Sequence, residues 1–174
     1  MDRPYNAGTL TMELTFRQVD VFATEPFRGN PLAVIVGADD LSDAQMAQIA
    51  NWTNLSETTF LLRPTQPDAD YRVRIFTPQT ELPFAGHPTL GSAFVWQSLG
   101  KASKSDVIIQ ECGVGLVPVR KQADRLAFAD PSRRRSGPVE QDDLAHALRA
   151  LRLVSQVIVD AQWVDNGPGW IALR

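Results

Sequence analysis

The alternation of apolar and polar residues along this chain predicts many short β-strands. Residues 14–22 (LTFRQVDVF) alternate as a half-buried strand does, and the apolar run 32–36 predicts a second strand. The loop between them is dense in turn-forming residues, so the two strands are expected to pair antiparallel. Further strands are predicted at 58–63, 71–76, 107–110, 115–120, 125–128, 157–164 and 170–173.

Two of the segments between these strands have the pattern of amphipathic helices. Ser42 and Gln45 have the spacing of a capping box, and apolar residues at helical spacing continue until about Asn54. Residues 142–153 predict a later amphipathic helix, and the stretch 131–138 before it is predicted to be a linker.

A third helix is predicted over residues 88–99. Pro88 suits its first turn, where a missing N–H costs nothing, and Gly100 suits the position just after its end. The apolar face of this segment is wide. We therefore expect this helix to be largely buried.

Composition indicates a globular protein without a broad nucleic-acid-binding surface. The hydrophobic fraction is 44%, and seventeen basic against twenty acidic residues give a formal charge of −3. The basic run 133–135 is predicted to be a solvated loop. Cys112 is the only cysteine, which excludes an intrachain disulfide and favours a reducing, cytoplasmic location. No apolar run is long enough to span a membrane.

The most distinctive chemistry lies in residues 72–91, RVRIFTPQTELPFAGHPTLG. His87 stands between Gly86 and Pro88 at a corner between a strand and a helix, which an ordinary core strand does not need. The corner can present the imidazole to a small volume together with Thr89 and backbone N–H groups at the helix start. This arrangement favours a small polar ligand that carries a carboxylate.

Glu57 is a second candidate, with two interpretations open from its position. It lies between a predicted helix and a predicted strand, beside Leu55 and Phe60. Burial against such neighbours would raise its pKa, as a general acid or base requires near neutral pH. The alternative is a glutamate at the start of a strand that forms a surface ion pair, and position alone favours this alternative.

His87 also has two interpretations. The positive end of the helix dipole favours its neutral form, which suits hydrogen bonding to a substrate. The alternative is a capping or core histidine. Among the other candidates, Asn30 is predicted to shape a turn whose backbone could line a site, Cys112 to be a packed thiol, and His146 to lie on the surface.

Nucleotide-binding, serine-hydrolase and zinc-protease functions have no support in the sequence. It contains no GxGxxG, GxxxxGK[ST], GxSxG or HExxH motif.

Three separated segments together resemble the PhzF family of phenazine-biosynthesis-like proteins, which are relatives of diaminopimelate epimerase. The segments are FRQVDVFATEPFRGNPLAVI from Phe16, NLSETTFLL from Asn54 and RIFTPQTELPFAGHPTLGSA from Arg74. They occur in the family's order, and the run ELPFAGHPTLG is distinctive. The resemblance covers residues 14–174 and is weaker after about residue 120.

This resemblance implies an α+β, diaminopimelate epimerase-like fold. Each of two similar halves is a curved, mostly antiparallel sheet wrapped around a central helix, here 88–99. It also implies an isomerase without cofactor or metal, whose best-known member moves a proton within a dihydro-hydroxyanthranilic acid. The family's proton-shuttling glutamate falls on Glu57, and its pocket histidine falls on His87, with Gly86 beside it. Glu57 replaces the cysteine of the related racemases, so thiol-based racemisation is not expected.

The resemblance also predicts the domain organisation. Residues 1–12 are an extension, 13–130 the first half, and 131–174 a linker, a helix and the beginning of a second half. The family's second half carries an acidic pocket residue in a motif of the type DxATGSA, and this chain ends at NGPGWIALR, before that motif. We therefore expect this chain to form one wall of the active cleft. We also expect it to expose apolar surface, which favours self-association or a homodimer.

Two functional hypotheses remain open. The first is an isomerase in which Glu57 transfers a proton and His87 orients a small carboxylate substrate. Its further binding residues are Gly86, Pro88, Thr89 and Asn30. The second is a catalytically silent homologue that binds a small molecule or a protein through the same surface. The presence of both Glu57 and His87 favours the first hypothesis.

Overall fold

The computed structural model of the protein describes residues 13–103, 105–123 and 125–174, so the predicted extension at 1–12 lies outside the described residues. The described residues form two sheets and three α-helices. The first sheet contains β1 (Thr15–Val21), β2 (Asn30–Val36), β3 (Glu57–Leu62), β4 (Tyr71–Phe76), β5 (Glu81–Leu82), β6 (Val107–Cys112), β7 (Gly115–Gln122) and β8 (Arg125–Phe128). The remaining elements are α1 (Asp43–Thr53), α2 (Gly86–Ser98), β9 (Arg135–Pro138), α3 (Gln141–Leu151), β10 (Ala161–Asp165) and β11 (Ile171–Leu173).

The first sheet is mixed and mostly antiparallel. Its strand order is β1-β2-β3-β4-β6-β7-β8, with β5 added to β4. The predicted antiparallel pairs β1–β2 and β3–β4 are confirmed. Strands β2 and β3 pair in parallel, because α1 connects them and returns the chain to the same end of the sheet.

Helix α2 packs on one face of this sheet and contacts strands along its whole width. It touches β1, β2, β3, β6 and β8, and most of its residues are buried, as predicted. Its partners in the core include Leu32, Tyr71, Val73 and Val119. Each large apolar side chain buried in this way contributes about 1.5–3 kcal/mol. This packing fixes where α2 begins, and therefore where His87 lies.

Helix α1 packs on the opposite face of the sheet. Met46 and Ala50 contact Ile35, Phe60 and Phe76, which alternate along their strands with residues that face α2. Strand β3 therefore has both faces covered, and Glu57 is its first residue.

The predicted end signals of both helices are confirmed. The Ser42 side chain accepts from the Gln45 N–H, and the Gln45 side chain accepts from the Ser42 N–H. Helix α2 starts two residues earlier than predicted, at Gly86. Gly100 follows its C-terminal residues with φ of +73°, a conformation that glycine adopts without strain.

The last part of the chain differs more from the predictions. The stretch 131–138 was predicted as a linker, but its end forms β9, which pairs with β10. Arg135 was predicted in a solvated loop, but it lies 3.6 Å from the centre of the Trp163 ring and pairs with Glu140. The RSGP sequence of β9 has no apolar alternation, so its strand conformation depends on pairing rather than on local preference.

Two smaller differences concern the strands. The predicted strand 157–164 begins as a 3₁₀ turn at Ser155–Val157, and β10 starts only at Ala161. Strand β5 is two residues long and was not predicted. Among the described residues, no helix has the length and hydropathy of a membrane span.

Candidate active site

Glu57 and His87 meet where β3 and α2 begin. The Oε2 atom of Glu57 lies 3.2 Å from Nε2 of His87, and the two side chains are 16% and 9% exposed. Glu57 is placed by its register with Leu32 of β2, and His87 is the second residue of α2. The two residues that the sequence selected thus form one nearly buried pair.

Asn30 reaches the same pair from the start of β2. Its Nδ2 atom lies 3.3 Å from Nδ1 of His87. An amide N–H only donates, so Nδ1 is the acceptor and the proton of the neutral ring lies on Nε2, towards Glu57. Asn30 was predicted to offer its backbone, but it is its side chain that makes this contact.

The two facing atoms of Glu57 and His87 make no well-formed hydrogen bond among the described residues. Glu57 Oε2 and His87 Nε2 are both inaccessible to solvent and both lack a partner with suitable geometry. A buried polar group without a hydrogen bond costs about 1–3 kcal/mol, so such groups are uncommon in folded proteins. The two facing atoms therefore have unused hydrogen-bonding capacity.

Burial shifts both members of the pair towards their neutral forms. It raises the pKa of Glu57 above the ordinary 4.5. It lowers the pKa of His87 from 6.5 to about 4. In both cases the charged form loses hydration that the surrounding protein does not replace. At neutral pH the imidazole is therefore uncharged, and the carboxyl group holds its proton more tightly than an exposed glutamate does.

The start of α2 lies beside this pair without a capping side chain. Ala85 is the N-cap residue and makes no side-chain hydrogen bond. The first N–H groups of a helix have no acceptor within it and carry the positive end of its dipole, which favours an anion. Gly86 lets the corner pack closely, because a Cβ there would lie 3.1 Å from Cζ of Phe128. Pro88 has no N–H, so only its ring can contribute.

Thr89 has a different role from the one expected from the sequence. Its side chain is fully buried, and its N–H and hydroxyl both donate to the carbonyl oxygen of Ala85, at 3.2 and 2.9 Å. Neither group is free to bind an anion. Thr89 therefore holds the first turn of α2 from inside.

Comparison with known proteins identifies the family. The profile of the phenazine biosynthesis-like (PhzC-PhzF) proteins matches residues 19–173. The chain belongs to this family. The resemblance seen in the sequence is thereby confirmed over nearly all of the chain.

Relatives and a solved structure support the same conclusion. Antisense-enhancing sequence 1 of Schizosaccharomyces pombe is 42% identical over 93% of this chain and 57% of its own length. Trans-2,3-dihydro-3-hydroxyanthranilate isomerase of Pseudomonas aeruginosa is 52% identical over 58% of this chain and 34% of its own length. A predicted epimerase of Pseudomonas aeruginosa superposes with a TM-score of 0.75 at 27% identity, over 92% of this chain and 59% of that one.

These matches confirm the predicted α+β, epimerase-like fold. They also show that this PhzF-family chain spans about half the length of the curated relatives it matches, and less of the isomerase.

Gly29 keeps the start of β2, and with it Asn30, close to β1. A Cβ on Gly29 would lie 2.2 Å from the carbonyl oxygen of Val21 and 2.9 Å from the N–H nitrogen of Ala23. Both neighbours are backbone atoms, so they cannot move aside as a flexible side chain would.

The substitution Gly29→Ala is expected to lower the free energy of unfolding by about 2 kcal/mol, as overpacking commonly does. Urea unfolding of the purified chain measures this change. Asn30→Ala is the control, because it removes the contact with His87 without adding volume, and its loss should be smaller. An unchanged unfolding free energy in Gly29→Ala would show that the junction of β1 and β2 accommodates a methyl group.

Asp20 is a half-buried polar residue near this junction that sequence reasoning did not select. Its Oδ2 atom is inaccessible and makes no hydrogen bond among the described residues. Asp20 lies opposite Pro31 in the β1–β2 pair, next to the Val21–Asn30 pair. The one available signal was an acidic residue inside the apolar sequence VDVF at the end of β1.

Two cavities of the PhzF-family chain lie away from Glu57 and His87. One of about 760 Å³ lies between the edge strands β1 and β8 and is floored by Leu90 and Phe94 of α2. Another of about 530 Å³ borders Pro83 and Arg134. Neither includes the Glu57–His87 pair. The facing atoms of the pair are themselves inaccessible to solvent, so the pair forms a nearly closed contact.

The remaining candidates lie apart from the pair. Burial raises the pKa of the Cys112 thiol, and its Sγ lies 3.7 Å from the carbonyl oxygen of Gly115, as expected for a packed thiol. His146 is exposed on α3. Among the described residues, no group of three His, Cys, Asp or Glu side chains is arranged to hold a metal ion.

Proposed function

We propose that this chain supplies the proton-transferring wall of an isomerase site for a small substrate that carries a carboxylate. Glu57 takes up and returns the proton, His87 donates a hydrogen bond from Nε2, and the start of α2 holds the carboxylate. One observation carries the proposal. Two inaccessible polar atoms, Glu57 Oε2 and His87 Nε2, face each other at 3.2 Å and lack a hydrogen-bond partner among the described residues.

The proposed reaction balances with these side chains alone. The Glu57 carboxylate removes a proton from one carbon of the substrate, and the electron pair of that C–H bond enters the substrate's π system. The resulting carboxyl group, whose O–H exchanges with solvent, then delivers a proton to another carbon. No electron is gained or lost, which agrees with the expectation that neither cofactor nor metal takes part. The raised pKa of Glu57 brings its two protonation states closer in energy near neutral pH, as this cycle requires.

His87 and α2 orient the substrate in this scheme. A neutral imidazole with its proton on Nε2 donates to an oxygen of the substrate without bringing a charge into the site. The positive end of the α2 dipole offsets the charge of a carboxylate. The relative named trans-2,3-dihydro-3-hydroxyanthranilate isomerase supports a small ring acid as the first substrate to test.

Deuterium uptake tests the proposed function directly. The chain is incubated in D₂O with trans-2,3-dihydro-3-hydroxyanthranilate, and the substrate and product are followed by NMR. We expect deuterium at the carbon that receives the proton. The corresponding ring compounds that lack the carboxylate group should show no deuterium uptake. Uptake that does not depend on Glu57 would contradict the proposed role of this residue.

The second hypothesis, a silent binding homologue, is favoured by one observation. The chain spans 57% of the Schizosaccharomyces pombe relative and 34% of the isomerase, so it aligns with only part of each of these proteins. In that case the ring acid binds, as shown by shifts of the Gly86 and His87 amide signals, and no deuterium is taken up. A cytoplasmic location stays a prediction from the single cysteine.

We also propose that the chain self-associates through apolar side chains at the end of α3 and in the segment after it. The exposed side chains in this segment are Leu151, Leu153, Val154, Val157 and Val159. Val159 is 78% exposed. Exposed apolar side chains that cluster in one segment commonly mark an interface.

Sedimentation velocity is expected to show dimers or larger species at micromolar concentration. The double substitution Val157→Asp and Val159→Asp should shift them to monomers, because charge at the interface opposes association. Trp52→Gln is the matched control, since Trp52 is 82% exposed but lies on α1. A monomer at every concentration, or dissociation by the control, would contradict the proposed surface.

A further inference from the structure

A directional chain of hydrogen bonds connects the interior of the first sheet to the corner that carries His87. The Tyr71 hydroxyl donates to Gln110 Oε1 at 2.9 Å, and Gln110 Nε2 donates to the Thr89 hydroxyl oxygen at 2.9 Å. The Thr89 hydroxyl donates in turn to the carbonyl oxygen of Ala85 at 2.9 Å. Ala85 is the residue before Gly86 and His87. We call Tyr71, Gln110 and Thr89 the relay.

All three relay residues lie deep in the core. Thr89 and Gln110 are 0% exposed and Tyr71 is 2% exposed. A buried polar chain must be fully hydrogen-bonded to avoid a large penalty, and each of these links is made. This contrasts with Glu57 and His87, whose facing atoms are left without partners. The relay therefore satisfies its own polar groups, whereas Glu57 Oε2 and His87 Nε2 have no hydrogen-bond partner among the described residues.

The relay begins where two strands of the first sheet pair over only a short length. Strands β4 and β6 pair in parallel through two residue pairs, Tyr71–Gln110 and Arg72–Glu111. The first of these pairs is also the first side-chain link of the relay. The position of Gln110 is thus fixed by backbone pairing before its side chain reaches α2.

The relay anchors the first turn of α2, whose N-cap residue has no capping side chain. A helix is usually capped by a side chain at its N-cap residue, but Ala85 has no group that could do this. Instead the Ala85 carbonyl oxygen is held from inside by the N–H and hydroxyl of Thr89. The corner is thereby fixed while the outward side of the helix start stays open to a ligand.

We propose that Tyr71, Gln110 and Thr89 are positioning residues for His87, which fix the corner so that its imidazole keeps one orientation between Asn30 and Glu57. The inference rests on the proposed function, because a fixed orientation matters for catalysis only if His87 contacts the substrate. It predicts a property of the free protein: His87 holds a single tautomer, with Nδ1 accepting from Asn30 and the proton on Nε2.

The ring nitrogens of His87 provide the test. Two-bond ¹H–¹⁵N correlation spectra of the ¹⁵N-labelled chain at pH 7 distinguish a single Nε2–H tautomer from an average of the two forms. We expect the single tautomer in the unsubstituted protein. Thr89→Val and Gln110→Met break the relay at two different links and should both shift the ring towards averaged tautomers. Thr89→Ser keeps the hydroxyl and should restore the single tautomer.

Ser92→Ala is the matched control for loosening of the core. Ser92 lies on the same helix, is fully buried and donates to the Thr59 hydroxyl at 3.0 Å, outside the relay. Its loss should leave the His87 ring signals unchanged. Should Thr89→Val fail to fold, Gln110→Met and Tyr71→Phe still break the links of the relay that lead to Thr89.

The outcomes separate this inference from the proposed function. Unchanged ring signals in the folded relay variants would overturn it, as would an equal change in Ser92→Ala. These signals are recorded without substrate, so absence of deuterium uptake would refute the isomerase proposal and leave the positioning role standing.

Discussion

Glu57→Gln is expected to reduce proton transfer to the substrate by about 10²–10⁴-fold or more, because a positioned general acid or base usually contributes that much. The amide has nearly the same shape as the carboxyl group but does not exchange a proton. Deuterium uptake and product formation in D₂O measure the loss. Glu25→Gln is the control, since Glu25 is a surface glutamate whose side chain is 75% exposed.

The same substitution should not weaken the fold. Burial raises the folded-state pKa of Glu57, so folding favours its protonated form. Its contribution to stability is present below the unfolded-state pKa and is lost as the pH rises through the folded-state pKa. At pH 8 a neutral glutamine avoids the burial of a charge, and Glu57→Gln should unfold at the same or a higher urea concentration. Near-normal turnover in Glu57→Gln would contradict the assignment of the proton to this residue.

The second large effect is a dependence of stability on pH that His87 causes. Burial lowers its pKa from 6.5 to about 4, so between these values the unfolded chain binds more protons than the folded one. Stability should therefore rise as the pH increases from 4 to 6.5, and should be lost as the pH falls through this window. This pKa shift changes the free energy of unfolding by at most about 3 kcal/mol, since one pKa unit corresponds to about 1.4 kcal/mol.

Urea unfolding between pH 4 and 7 measures this dependence. His87→Gln should remove most of the rise in the free energy of unfolding between pH 4 and 6.5. His146→Gln should leave this rise unchanged, since His146 is exposed on α3. Glu57 is the titratable group that contacts His87, and its raised pKa acts with the opposite sign above pH 4.5. The experiment is therefore repeated in Glu57→Gln to separate the two. An equal rise in the chain with and without His87 would contradict the burial argument.

Signals that lie close together in the sequence predicted local structure well. The strand Tyr71–Phe76 has the predicted bounds, and the capping box of Ser42 and Gln45 forms as expected. Glycine after α2 and the burial of that helix also followed from short patterns. In each case the interacting groups are separated by a few residues, so local preference and hydrophobic spacing decide the outcome.

Contacts between distant segments were not predictable in the same way. That the Asn30 side chain reaches His87 depends on the register of β1 with β2 and on the packing of α2. Strand β9 exists because β10 pairs with it, although its own sequence contains arginine, glycine and proline. Gln110 drew no attention in the sequence, because nothing near it shows that its amide reaches Thr89.

The candidate pair itself came from two sources. Its residue types and the Gly-His-Pro corner were visible in the sequence, and the family resemblance joined Glu57 to His87. The contact of 3.2 Å and the missing hydrogen-bond partners could come only from the folded structure. The same holds for Thr89, whose position on the inner face of α2 turned a predicted ligand contact into a structural one.

The central claim is that Glu57 and His87 form one buried pair, in which burial raises the pKa of Glu57 and keeps the His87 imidazole neutral. Its most direct test is an NMR titration that follows the Glu57 side-chain carboxyl carbon and the His87 ring in the same sample. The account predicts that Glu57 titrates above 4.5 and that His87 stays neutral down to about pH 4. A Glu57 that titrates at or below 4.5, together with a His87 that titrates near 6.5, would contradict it.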